Sequence, residues 1–186
     1  MKLITPSLEH LDSYIDCLKR GWNPISLDES QVPFEREISE INADPTKFLK
    51  KVLNFTGLGD RLNLEDGTTA ERLPSFTRWM WDGEICGRIQ FRWQSNTVEL
   101  PPFCLGHIGY GVAQWKRKRG YATLALKSLI EEIKYCGLPY VELTTSQDNL
   151  SSQKVIFANG GEFVEDFKKL DMHGGAMGKR FRIYLT

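Results

Sequence analysis

The sequence predicts an α/β fold built on a mixed α+β sheet, and three stretches support this. Residues 108–112 alternate like a strand, and after Gly120 the apolar residues recur at helical spacings of three and four. Residues 140–144 form another strand pattern, so a right-handed crossover should make these two strands parallel. Two aromatic, alternating runs flank Asp82-Gly83, which predicts an antiparallel hairpin with a tight type I′ turn.

The other elements are predicted from periodicity and from helix and turn signals. They are a strand over 2–5, a helix with Leu8, Leu11, Ile15 and Leu18 on one face, helices within 34–41 and 46–53, an exposed loop over 55–74, a helix over 149–159 and two antiparallel strands over 162–169 and 181–186.

Composition limits the class of protein. A chain of 186 residues suits one domain spanning 1–186, and 24 basic residues balance 24 acidic ones. With no net charge, no overall field draws the protein to nucleic acid or to a membrane. No apolar run is long enough for a signal peptide or a membrane span, so we expect a cytoplasmic protein. The four cysteines are widely spaced, show no metal-binding pattern and predict free buried thiols: Cys17, Cys86, Cys104 and Cys136.

A basic loop, residues 116–120, lies between the strand at 108–112 and the following helix. It reads Lys-Arg-Lys-Arg-Gly. The first N–H groups of a helix have no internal partner, and the helix dipole favours an anion there. Gly120 lets the main chain approach such an anion, and Ala122 leaves room beside it. We therefore predict a phosphate site. Nucleic-acid binding is the alternative, but the balanced charge and the glycine at the helix start argue against it.

Two short motifs resemble the signatures of the GCN5-related N-acetyltransferase (GNAT) family. Residues 117–122, Arg-Lys-Arg-Gly-Tyr-Ala, fit its Arg/Gln-x-x-Gly-x-Gly/Ala signature, and Asn149-x-x-Ser152 followed by Gly160-Gly161-x-Phe163 looks like its second signature. The element order is also similar. The resemblance covers most of the chain and implies a GNAT-type acyl-CoA N-acyltransferase fold with a splayed central parallel strand pair. It also implies an acetyl-CoA-binding core over about 76–163 and an irregular acceptor-side region over about 22–75.

The resemblance further implies acetyl-CoA as co-substrate, with no metal. The strand before the loop would carry a bulge that admits the pantetheine arm, and the N–H near Val112 would donate to the thioester carbonyl. Glycines inside a strand are otherwise costly, and a tight bend without a ligand is the alternative explanation. By this match the cofactor-binding residues are Gly111, Val112, Arg117, Lys118, Arg119, Gly120, Tyr121, Ala122, Thr123, Asn149 and Ser152, with Lys116 as a neighbour.

The expected reaction is direct attack of a primary amine on the thioester. A lysine-like amine, with a pKa of about 10.4, must lose a proton first, so a base matters more than an acid. The catalytic candidates are His107 and Tyr110, with Glu99 a further candidate base. The family's usual acid, a tyrosine, is replaced by Ile156, which cannot donate a proton.

That departure leaves several alternatives open. Another group or solvent protonates the thiolate, or the protein is a noncatalytic acetyl-CoA-binding or sensor module of the same fold. The acceptor, a small-molecule or peptide amine, is not determined by the sequence. Oligomeric state is equally open, and a homodimer is one alternative. No nucleic-acid or membrane partner is expected.

Overall fold

The computed structural model describes residues 1–24, 33–59, 61–64, 67–170 and 173–185. The helices are α1 (Leu11–Lys19), α2 (Pro33–Ala43), α3 (Pro45–Val52), α4 (Tyr121–Ile133) and α5 (Leu150–Phe157). The strands are β1 (Lys2–Ile4), β2 (Leu62–Asn63), β3 (Thr69–Ala70), β4 (Ser75–Trp81), β5 (Ile85–Arg92), β6 (Ile108–Val112), β7 (Tyr140–Ser146), β8 (Glu162–Lys168) and β9 (Met177–Tyr184).

The strands form two main antiparallel sheets. The first has the order β1-β4-β5-β6 and the second the order β7-β9-β8, while β2 and β3 pair separately. One face of the first sheet packs on α4, with Ile89 and Leu126 in a core that also includes Leu143 of the second sheet. α4 packs on the first sheet and α5 on the second, and their shared core holds the sheets together without a continuous strand ladder.

The opposite face of the first sheet packs on α1, α2 and α3, and is called the α1–α3 face below. Its core contains Tyr14, Trp22, Phe48 and Trp79, and the rings of Tyr14 and Trp79 stack with centroids 4.5 Å apart. Burying a large apolar side chain contributes roughly 2–3 kcal/mol. The first sheet is thus a central layer between two helical layers.

A gap separates β6 from β7, as the family resemblance implied. The backbone N–H of His107 donates to the carbonyl of Glu142 at 2.8 Å, just before β6 begins. Within the described ranges, no further backbone hydrogen bond joins the two strands. The predicted bulge in β6 is wrong, because its register with β5 runs from Phe91–Ile108 to Gly87–Val112 without a shift.

Most predicted elements are confirmed, and the differences are as follows. The predicted exposed loop over 55–74 contains the short pair β2 and β3, and its residues 60 and 65–66 lie outside the described residues. The first α-helix begins only at Leu11, after a 3₁₀ turn, and Leu8 is 60% exposed. The hairpin loop has three residues because Trp81 pairs with Ile85, so the two-residue type I′ turn is wrong. Among the free cysteines, three are buried but Cys136 is exposed. Within the described residues, no helix is both long and apolar enough to cross a bilayer.

Candidate active site

The basic loop leads into α4 with a run of unpaired backbone donors. Gly120 is the N-cap with φ 74°, and no side chain caps the helix. The first helical bond runs from Leu124 N–H to Gly120 O at 3.0 Å. In the described part of the chain, no acceptor bonds the backbone N–H groups of residues 118–123. The loop is exposed, so these donors are open to an anion.

Lys116 fixes the loop and is not a free charge on it. The residue is 9% exposed, and its Nζ lies 2.9 Å from both Asp82 carboxylate oxygens and 2.8 Å from Glu84 Oε1. Tyr121 also donates its hydroxyl hydrogen to Asp82, at 2.8 Å. Burial opposes ionisation of Asp82, but the bonds from Lys116 and Tyr121 outweigh it and hold the pKa of Asp82 below its usual value. The loop is therefore anchored to the β4–β5 turn.

The other basic side chains of the loop have fewer contacts. Arg117 Nε donates to the carbonyl of Val112 at 3.2 Å, so this side chain leans over the end of β6. Lys118 and Arg119 are exposed and make no hydrogen bond or ion pair with residues that the structure describes. Both guanidinium groups, of Arg117 and Arg119, are accessible at the loop surface.

The N–H of Val112 points into the gap between β6 and β7. The next residue, Ala113, donates its N–H to Cys86 O at the start of β5, at 2.9 Å. Successive N–H groups along a strand point to opposite edges, so the Val112 N–H faces away from β5. Its direction agrees with the donor role that the resemblance implied.

The structure explains Gly109 of β6 by a neighbouring side chain, whereas the sequence suggested a bulge or the approach of a ligand. A Cβ on Gly109 would lie 2.7 Å from Nη2 of Arg92, so a side chain there would displace the guanidinium. At Gly111 the nearest atom is Nε1 of Trp22, at 3.9 Å, which leaves ordinary room. Gly109 therefore accommodates the Arg92 side chain of β5.

Tyr110 and α5 lie together on the α4 side of the first sheet. Tyr110 donates its hydroxyl hydrogen to Ser152 O at 3.3 Å, and Asn149 Oδ1 accepts the Ser152 N–H at 3.1 Å as the cap of α5. Burial raises the pKa of Tyr110 to about 12, so this hydroxyl stays protonated at neutral pH. Ile156, at the position of the family's usual acid, is 1% exposed and packs against Gly161.

His107 lies where the two sheets meet. It is 1% exposed, and its Nδ1 accepts the backbone N–H of Glu142 at 2.9 Å. The neutral ring therefore carries its proton on Nε2. Burial lowers the pKa of His107 to about 4, which keeps the ring neutral. This position and pKa argue against His107 as the base and for a role in holding the two sheets together.

Glu99, the remaining candidate base, lies on the connection before β6. Its side chain is exposed, and it lines a cavity of about 430 Å³ together with Glu142 and Arg180. Arg180 Nη1 and Arg182 Nη2 each donate to Glu142, both at 2.8 Å. The Glu142 carboxylate is therefore neutralised inside the cavity wall.

Sequence reasoning missed Glu37. This residue of α2 is 6% exposed, and its Oε1 accepts the Tyr14 hydroxyl at 3.2 Å and lies 3.5 Å from Nη1 of Arg88. Its Oε2 is buried and has no partner among the described residues. Burial raises the pKa of Glu37 above its usual value. The available signal was a carboxylate three residues after Phe34, on the apolar stripe of the helix.

Arg92 was also missed. It lies at the end of β5, and its backbone N–H donates to His107 O at 2.9 Å. Its Nε is buried without a partner, and no carboxylate of the described residues lies within ion-pair distance of its guanidinium. In the sequence, Arg92 was one of several polar residues alternating along a strand, so no pattern singled it out.

No described cluster of histidine, cysteine, aspartate and glutamate is arranged to hold a metal ion. The search of curated proteins gave no match.

Several solved acetyltransferases share the fold. A GNAT-family acetyltransferase from Streptococcus pneumoniae superposes with a TM-score of 0.61 at 13% identity, covering 100% of this chain and 99% of that one. RimL, a ribosomal-protein alpha-N-acetyltransferase solved with coenzyme A, gives 0.61 at 14% identity and covers 98% and 93%. The microcin self-immunity acetyltransferase MccE, solved with acetyl-CoA and AMP, gives 0.58 at 14% identity and covers 98% and 91%.

The family model described as "Acetyltransferase (GNAT) domain" matches residues 38–162, more than half of the chain. The match includes β6, the basic loop, α4, β7 and α5, which are the elements around the gap. The chain therefore belongs to the GNAT acetyltransferase family.

Proposed function

We propose that this protein transfers an acetyl group from acetyl-CoA to the amine of an acceptor by direct attack, without a covalent enzyme intermediate. The observation that carries the proposal is the run of unpaired N–H groups at residues 118–123, next to the open gap between β6 and β7. A diphosphate fits such a helix start, and the gap gives the pantetheine arm a path between the strands.

The backbone supplies most of the cofactor site in this proposal. The donors of residues 118–123, with Arg117 and Arg119, bind the pyrophosphate, while Ser152 and the Asn149 amide nitrogen lie beside the arm. The Val112 N–H donates to the thioester carbonyl oxygen. As the amine attacks, charge develops on that oxygen, and a fixed donor stabilises the charge more than it stabilises the substrate.

Two side chains are proposed to handle the protons. Glu37 takes the proton from the amine, directly or through water, because its Oε2 is free and its pKa is raised. The new C–N bond forms as the C–S bond breaks, and Tyr110 donates a proton to the departing thiolate. Glu37 belongs to the α1–α3 face and Tyr110 to the α4 face, so base and acid approach from opposite sides of the sheet.

The decisive experiment is calorimetry with acetyl-CoA on the Arg117→Ala/Arg119→Ala double variant. We expect affinity to fall about 10- to 100-fold, because charge-assisted contacts to phosphate are lost, while the melting temperature stays nearly unchanged. Arg36→Ala/Arg61→Ala is the matched control, because it removes the same charge from two other exposed sites. A large drop in melting temperature with unchanged affinity would contradict the proposal.

The second candidate function is a noncatalytic acetyl-CoA-binding module, which the buried Ile156 favours. An amine panel monitored for free thiol separates the two functions. Binding of acetyl-CoA without thiol release from any amine would support the noncatalytic module.

A further inference from the structure

The guanidinium of Arg92 has a defined position in the fold but no counterion among the residues that the structure describes. Along β5, Ile89 and Phe91 point into the α4 core, so by alternation Arg88 and Arg92 belong to the α1–α3 face. The guanidinium of Arg92 occupies the space above Gly109 that any side chain would fill. β6 is thereby built to keep this cation next to the gap.

The other partly buried arginines of the two sheets are all paired with carboxylates. Arg78 pairs with Glu132, and Arg88 with Glu37. Arg180 and Arg182 share Glu142. Partly buried charges are normally paired because removing an ion from water is costly. An arginine left unpaired in such surroundings is missing an anion.

The main chain next to Arg92 is already paired. The backbone N–H of Arg92 donates to His107 O at 2.9 Å, and the His107 ring lies between the Glu142 N–H and the Val98 carbonyl. The buried Nε of Arg92 has no hydrogen-bond partner within the described ranges. It therefore needs an acceptor, as an anionic ligand provides.

We propose that Arg92 binds a carboxylate of the acceptor, so that the acceptor is an amine that also carries a carboxylate. This inference rests on the proposed function, because it places the amine near Val112. Gly109 and Val112 are three residues apart, about 10 Å along the strand, so the amine and the carboxylate are separated by several bonds. Such acceptors include ω-amino acids.

The test compares acceptors in matched pairs, using ω-amino acids of increasing length and their carboxamides. For the wild type, we expect kcat/KM to favour the carboxylate member at least tenfold. Arg92→Gln should lower kcat/KM for the carboxylate members about 10- to 100-fold and change it less than about threefold for the carboxamides. Arg92→Lys should retain part of the preference, because lysine keeps the positive charge but lacks the planar guanidinium that can donate two hydrogen bonds to a carboxylate.

Arg78→Gln is the matched control, since Arg78 is a partly buried arginine of the same sheet whose counterion, Glu132, is known. It should keep the wild-type preference. Equal use of acids and amides by the wild type would overturn the inference, and so would an equal loss on both by Arg92→Gln. Better use of phosphonate than carboxylate analogues would overturn the choice of anion.

A binding measurement tests the inference without turnover. Calorimetry with N-acetyl ω-amino acids should show binding to the wild type that weakens at least tenfold in Arg92→Gln. No binding, or equal binding by the two proteins, would overturn it. Failure to bind acetyl-CoA would count against the proposed function. Loss of the carboxylate preference alone, with acetyl-CoA binding intact, would count only against the role of Arg92.

Discussion

The basic loop and the α1–α3 face place their unpaired polar groups in opposite ways. At the loop, Lys116 and Tyr121 are paired side chains, and the unpaired groups are exposed backbone N–H donors. On the α1–α3 face the backbone is paired in the strand ladders, and among the described residues the unpaired groups include buried side-chain atoms of Glu37 and Arg92. One end of the proposed site is therefore main chain and the other end is side chains.

Because of this difference, the two ends of the proposed site recognise ligands in different ways. Backbone donors bind any diphosphate and require only the conformation that the loop adopts, so a short motif suffices for them. Side-chain groups recognise one charge at one position. In the proposed site, changing Arg92 would change which acceptor binds while the proposed cofactor end stayed the same.

The largest effect is expected when the anchor of the basic loop is broken. Lys116→Met leaves the Asp82 carboxylate, whose side chain is 10% exposed, without its main counterion. Loss of one partner of a buried ion pair should lower the free energy of unfolding by about 3 kcal/mol, measured by chemical denaturation. Affinity for acetyl-CoA should fall as well, because the loop loses its attachment to the β4–β5 turn.

Lys51→Met is the control for that variant. Lys51 pairs with Glu40 between α3 and α2, but its side chain is 48% exposed. Its loss should cost less than about 1 kcal/mol. An equal cost for the two variants would show that Lys116 does not anchor the loop.

A smaller effect is expected from Tyr110→Phe, which removes only the hydroxyl. We expect kcat to fall about tenfold, about 1.4 kcal/mol, with acetyl-CoA affinity unchanged. The effect is modest because a thiol with a pKa of about 8.5 leaves readily without help. Stopped-flow detection of free thiol measures it. Unchanged kcat would leave solvent as the proton donor.

The last expected effect is on stability, concerns Glu37 and depends on pH. Its raised pKa means that the folded state binds the proton more tightly than the unfolded state does. The resulting stability is complete below the unfolded pKa, about 4.3, and is lost as pH rises through the folded pKa. The free energy of unfolding of Glu37→Gln, relative to the wild type, should therefore increase as pH rises. The increase should be about 1.4 kcal/mol for each unit by which folding raises the pKa of Glu37. Denaturation at a series of pH values tests this.

Glu40→Gln, on the same helix, should show the opposite dependence of stability on pH. Burial alone would raise the pKa of Glu40, but hydrogen bonds from Lys51 and Arg36 outweigh burial and lower it. Glu40 therefore stabilises the fold above its unfolded pKa, and that contribution is lost as pH falls through its folded pKa. If both variants shifted in the same direction with pH, the contrast drawn for Glu37 would be wrong. The Arg88 pair forms only while Glu37 is ionised, so its effect is already contained in the pKa of Glu37 and adds no separate dependence on pH.

The sequence by itself predicted most of the elements and the proposed cofactor end of the site. Periodicity gave α4 and β7, and the start of α4 needs only a glycine at Gly120 and a local turn. These signals are short-range, so they can be seen within about twenty consecutive residues. The gap between β6 and β7 was expected only through the family resemblance.

Only the tertiary structure decided which polar groups are paired. Lys116 looked like a free cation until folding brought Asp82 to it, and His107 looked like a base until burial and Glu142 fixed its neutral form. Glu37 and Arg92 became candidates for the opposite reason, because folding buries atoms of each without a partner. Pairing depends on residues far apart in the chain, and the energy of a charge depends on its burial, which no local pattern records.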